Sequence, residues 1–146
     1  MSRGREPQAA AGAIEVVAPR GSVVVLAVDD ERVVRAVVGR ALDSFGVPAM
    51  VVASGREALR IVADDILRPT VLLTDIDMPE MTGIELAARI AALRPSMRIV
   101  MMTGDPDQAA AARAHSELVS TVLVKPVTLA ELREAIETPG DQLERP

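Results

Sequence analysis

The sequence contains no cysteine, no tryptophan and no tyrosine, and a single phenylalanine, Phe45. Without cysteine there is no disulfide, no thiol nucleophile and no thiolate metal ligand. One histidine, His115, is too few for a zinc-type centre. The near-absence of aromatic rings argues against a stacking platform for single-stranded nucleic acid. A formal net charge of −5, with no basic stripe to offset it, disfavours a phosphate-binding surface, so direct nucleic-acid contact is not expected. That charge remains compatible with a divalent cation. No apolar run approaches the roughly 18 residues of a membrane span. The opening MSRGREPQAAAG lacks the apolar segment of a secretory signal. Cytoplasmic location without membrane insertion is the expectation.

What is present is aliphatic: 49% of the residues are hydrophobic, and the core must be built from Val, Leu, Ile, Ala and Met. A length of 146 residues fits one domain. Residues 1–21, with scattered charges, Pro7, Pro19 and several small residues, read as a mobile extension in which Ile14–Val17 is a transient strand at most. The domain is expected over 22–138, followed by a tail at 139–146.

Within the domain, apolar runs alternate with amphipathic stretches. Residues 22–28, 47–53, 70–74, 98–103 and 121–124 are strand candidates, and their β-branched runs suit a sheet covered on both faces. Val33, Val34, Val37, Val38, Ala41, Leu42 and Phe45 form a helical stripe closed by Gly46. Ser54 and Glu57 have capping-box spacing ahead of Ala58, Leu59, Val62 and Ile66. Ile84, Ala87, Ile90 and Ala91 mark a third helix stopped by Pro95. An alanine-rich fourth helix is expected to reach about Leu118, with His115 peripheral on it. Thr128 and Glu131 begin a fifth carrying Leu132 and Ile136, ended by Pro139 and Gly140.

Five strands alternating with five helices predict a doubly wound parallel α/β sheet in three layers. Right-handed βα units put every strand-to-helix loop on one edge. Asp29, Asp30, Asp75, Thr103 and Lys125 all stand at strand carboxyl ends and converge there. Close carboxylates repel, and a hard cation with oxygen ligands, Mg²⁺ above all, relieves the repulsion. Metal, Lys125 ammonium and Thr103 hydroxyl together suit a transferred phosphoryl group, with Asp75 as nucleophile. Taken singly, each residue also has a plainer role. Asp29 or Asp30 can cap a helix, Asp75 and Met78-Pro79 can be turn residues, Met81 can be core packing, Thr103 a strand-end hydroxyl, and Lys125-Pro126 a charged loop.

VDDE at 28–31, LLTDIDMPEMTG at 72–83, MTG at 102–104 and VLVKP at 122–126 together resemble the receiver domain of two-component response regulators, CheY-like, over about residues 22–138. The resemblance implies a flavodoxin-like strand order 2-1-3-4-5. It implies Asp75 as phosphoryl acceptor, with Asp29, Asp30, Asp75 and the Asp77 carbonyl around Mg²⁺, and Mn²⁺ tolerated. Lys125 would pair with the acceptor, Thr103 would be the switch hydroxyl, and Pro126 would shape the loop through a peptide often cis. Asp77 and Asp105, two residues after Asp75 and Thr103, would tune phosphoryl lifetime. Such a domain is no conventional enzyme, yet it catalyses its own phosphorylation and dephosphorylation. The donor would be a sensor histidine kinase or histidine phosphotransfer protein.

Val122 departs from the family, which usually has an aromatic ring three residues before the lysine; Val127 likewise replaces a common Phe. The leading expectation is a phospho-acceptor, monomeric or weakly dimeric, acting on a protein target through its fourth helix, fifth strand and fifth helix. A receiver segment of a hybrid histidine kinase is a related reading. A binding-only module with lost or weakened switching is the alternative Val122 favours. An Asp-nucleophile phosphate-ester hydrolase is a further one, since Asp77 stands where such an enzyme keeps its second Asp.

Overall fold

The computed structural model describes residues 23–64 and 67–137. The expected extension and tail, with Ile66, Pro139 and Gly140, lie outside them. The elements run β1 Val25–Val28, α1 Arg32–Ser44, β2 Ala49–Val52, α2 Gly55–Asp64, β3 Val71–Asp75, α3 Gly83–Leu93, β4 Arg98–Thr103, α4 Pro106–Arg113, β5 Thr121–Val124 and α5 Leu129–Glu137. All pairings are parallel, in the order β2-β1-β3-β4-β5, which is the expected 2-1-3-4-5.

Side-chain alternation along the strands divides the core between two faces. Leu26, Val28, Leu72, Ile99 and Met101 point to the face covered by α2, α3 and α4, where Ala58, Val62, Leu86, Ile90 and Ala112 meet them. Val25, Ala27, Val71, Leu73, Val100 and Met102 point to the other, against Val38, Ala41 and Leu42 of α1 and Leu132, Ala135 and Ile136 of α5. Two arginines fasten the helix ends: Arg94 Nη2 donates to the Val62 carbonyl of α2, and Arg98 donates to the Ala135 and Ile136 carbonyls of α5. These carbonyls lie in the last described turn of each helix, where a cation complements the helix dipole. Phe45 lies 5.6 Å beneath the Arg133 guanidinium and so joins α1 to α5.

Three expectations are corrected. β1 begins at Val25, because the Val24 N–H is taken by the Thr70 hydroxyl. α4 ends at Arg113: after Ala112 no apolar residue keeps the helical spacing, and turns through His115 deliver Val119 to the core. The stripe of α1 is wider than its buried face, since Val33 and Val37 are 74% and 61% exposed. With Leu129, 60% exposed, they border an apolar groove of about 270 Å³ between α1 and the start of α5. Gly46 ends α1 as expected, in the left-handed region at φ 73°.

Candidate functional site

Strand register brings the polar residues to one edge. Val28 pairs with Thr74, so Asp29 leaves β1 beside Asp75. Asp75 pairs with Met102, and Thr103 follows it; Thr103 pairs with Val124, and Lys125 follows that. One carboxylate oxygen each from Asp29, Asp30 and Asp75 lies within 4.8 Å of the others. Asp29 and Asp75 are buried, while Asp30 is exposed.

Lys125 answers this negative charge from the far side. Its Nζ is 3.3 Å from Asp75 Oδ1 and 4.0 Å from Asp29 Oδ2. Burial is the largest influence on both aspartates and raises both above the ordinary carboxylate pKa. For Asp75, Lys125 opposes that rise without cancelling it. For Asp29, the Glu31 N–H, donating to Oδ1 at 2.9 Å, opposes it. Asp29 Oδ2 is buried without a hydrogen-bond partner. Arg35 holds the Asp29 backbone through a 2.9 Å bond to its carbonyl.

The loop after β3 is positioned by local chemistry. Thr82 and Glu85 form a reciprocal capping box at the start of α3. Gly83 donates to the Ile76 carbonyl at 2.7 Å, and a Cβ on it would stand 2.3 Å from the Asp75 carbonyl oxygen. Glu80, at φ 70°, allows the Met81 N–H to reach the Pro79 carbonyl at 2.7 Å. Asp77 is exposed on this loop, and its charge adds to the upward shift of Asp75. The Lys125–Pro126 peptide is cis.

Thr103 is buried, and both of its hydroxyl partners lie at the start of α4. It donates to Gln108 Oε1 at 2.8 Å and accepts from the Asp105 N–H at 3.1 Å. The Asp105 carboxylate caps α4 by accepting from the Asp107 N–H at 2.9 Å. Val122 is half-buried and packs on the face covered by α2, α3 and α4. His115 is exposed beyond α4. Sequence reasoning missed Gln108, Glu31 and Arg35. Gln108 had one usable signal, its place in the first turn of a helix that starts just after Thr103.

The response regulator receiver domain model matches residues 25–137. The chain belongs to that family. The receiver is 33% identical over 114 residues to the DNA-binding transcriptional regulator NtrC of Escherichia coli, covering 78% of this chain but 24% of that protein. It is 30% identical over 115 residues to sporulation initiation phosphotransferase F of Bacillus subtilis, covering 77% of this chain and 90% of that one. A solved response regulator receiver domain protein of Clostridium thermocellum is similar with a TM-score of 0.74 and 28% identity, over 84% of this chain and 97% of the other. The chain is thus a phospho-acceptor signalling domain of two-component type, of a family that meets histidine kinases and phosphotransfer proteins and binds Mg²⁺ at an acidic pocket. The residues fit that ion: the donors are all carboxylate oxygens, and Asp29 keeps a buried oxygen, Oδ2, without a hydrogen-bond partner. Among the described residues, no helix is long and apolar enough to cross a membrane.

Proposed function

We propose that Asp75 accepts a phosphoryl group from a phosphohistidine on a sensor kinase or phosphotransfer protein. The observation that carries this reading is the buried Asp75 carboxylate, 3.3 Å from Lys125 and grouped with Asp29 and Asp30 at the open edge of the sheet. An Asp75 oxygen attacks phosphorus, the P–N bond breaks, and the imidazole leaves with a proton from solvent. The product is an acyl phosphate on Asp75. Water attack on phosphorus later breaks the new O–P bond and restores the carboxylate. Lys125 pairs with Asp75 beforehand and with a phosphoryl oxygen afterwards. Asp29, Asp30, Asp75 and the Asp77 carbonyl would hold Mg²⁺, or Mn²⁺ with the same oxygen set. The ion supplies charge that offsets the phosphoryl oxygens.

Thr103 follows the new charge, and a protein partner reads the change on the surface of α4, β5 and α5. Asp77 and Asp105 set how water reaches the phosphoryl group. Residues 22–138 are the receiver unit of this reading, acting as a monomer or weak dimer. Incubation with phosphoramidate and Mg²⁺, followed by intact mass, tests it. One phosphoryl increment is expected, absent in Asp75→Asn and absent when the metal is chelated. An undiminished adduct in Asp75→Asn contradicts the assignment.

A further inference from the structure

The Thr103 hydroxyl has one proton, and that proton is committed. It points to Gln108 Oε1 at 2.8 Å, while an oxygen lone pair takes the Asp105 N–H at 3.1 Å. A hydroxyl can donate only one hydrogen bond. Thr103 therefore cannot donate to a phosphoryl oxygen on Asp75 until it releases Gln108. Gln108 sits in the first turn of α4, two residues after the first helical residue, Pro106. That turn is otherwise held by the Asp105 cap on the Asp107 N–H and by buried residues that are two alanines, Ala109 and Ala112, so Gln108 supplies its side-chain tie to Thr103. On β5, Val122, which pairs with Met101, and Val124, which pairs with Thr103, have stiff branched side chains with no polar atom, so neither can take part in the exchange of the proton.

We propose that Gln108 is the latch of this receiver: it holds the Thr103 hydroxyl away from Asp75, and phosphorylation frees the first turn of α4 by taking that hydroxyl from it. The inference rests on the phospho-acceptor reading of Asp75. Gln108 is a positioning residue that acts through Thr103. Two states are implied, one with the hydroxyl on Gln108 and one with it released and turned towards Asp75, where phosphorylation would capture it. The latch biases the first, so its loss shifts the population towards the second even before phosphorylation.

Two measurements test this. In the unmodified full chain, three-bond couplings to the Thr103 methyl carbon report its χ1 rotamer. One rotamer is expected in the native protein and a mixture in Gln108→Ala; an unchanged single rotamer overturns the latch, whether or not Asp75 accepts phosphate. In the second, self-phosphorylation by phosphoramidate is timed. Gln108→Ala is expected to be about three- to tenfold faster, the range of one net hydrogen bond. Gln108→Glu, a charged and stronger acceptor, is expected to be slower. In a Thr103→Ala background, Gln108→Ala is expected to change nothing. Equal acceleration with and without Thr103 shows that Gln108 acts elsewhere and overturns the proposal. Failure of the native chain to take any phosphoryl group contradicts the Asp75 reading, while the rotamer measurement still decides the latch.

Discussion

Gly83 leaves room for the Asp75 carbonyl: a Cβ at that position would lie 2.3 Å from the carbonyl oxygen and 2.9 Å from Ile76 Cα. Both obstacles are backbone, so no side chain can swing aside. Gly83→Ala is therefore expected to shift the β3–α3 loop and cost about 1–3 kcal/mol, the usual range for overpacking. Denaturant unfolding measures this, and phosphorylation of Asp75 should slow in parallel. Native stability with a native rate would show that the close approach is not binding on the loop.

Lys125 bridges Asp75 and Asp29 from one side. Lys125→Ala removes a positive charge from the cluster, so Mg²⁺ binding should persist. The phosphorylation rate or the structural response to phosphorylation should suffer, with a rate loss on the order of 100-fold, as when one preorganised donor to a developing oxyanion is lost. Titration of Mg²⁺ and timed phosphorylation separate the two. Unchanged behaviour in both assays refutes the role.

Asp29 and Asp75 both have raised pKa values, burial being the first cause in each. A carboxylate whose folded pKa is raised binds its proton more tightly in the native state than in the unfolded chain. Without metal, this contribution to stability is fully present below the ordinary value of 3.8 and is lost as pH rises through the raised values. Mg²⁺ must displace those protons, so its apparent affinity should strengthen with pH over the same window, by about tenfold per pH unit for each proton displaced, and then level off. Asp29→Asn should raise metal-free stability above that window and weaken protection by Mg²⁺. Thermal unfolding across pH, with and without Mg²⁺, checks both.

Glu80 occupies the left-handed region at φ 70° without being glycine or asparagine. Its ion pair with Arg56 spans 3.8 Å between two largely exposed side chains and adds little. Glu80→Gly should thus stabilise the protein by about 0.5–1 kcal/mol, the relief of strain exceeding the extra freedom of the unfolded chain. Equilibrium unfolding in urea measures the change. A loss of stability would mean that the Glu80 side chain holds the loop.

How much of this was legible in the sequence follows from what each signal reports. Unbroken runs such as Val71–Thr74 announce buried parallel strands, and a polar residue at the end of each run is placed by register alone. Asp29, Asp75, Thr103 and Lys125 were therefore readable as one site. The end of α4 was not, because alanine extends a helix pattern without showing whether anything packs on it. Periodicity also overstated the buried face of α1. Val33 and Val37 keep the helical spacing, yet they border an open groove with Leu129 and stay exposed. The Thr103–Gln108 bond depends on one side-chain orientation, which no spacing rule contains.

The central claim is that Asp75, and no other aspartate of the cluster, carries the phosphoryl group. Borohydride reduction decides it, because an acyl phosphate is reduced to an alcohol and leaves homoserine in place of the aspartate. After phosphorylation in Mg²⁺, reduction and peptide mass mapping, homoserine is expected at position 75 and nowhere else. Homoserine at position 29, 30 or 77, or none from a protein that has taken up phosphate, would contradict the account.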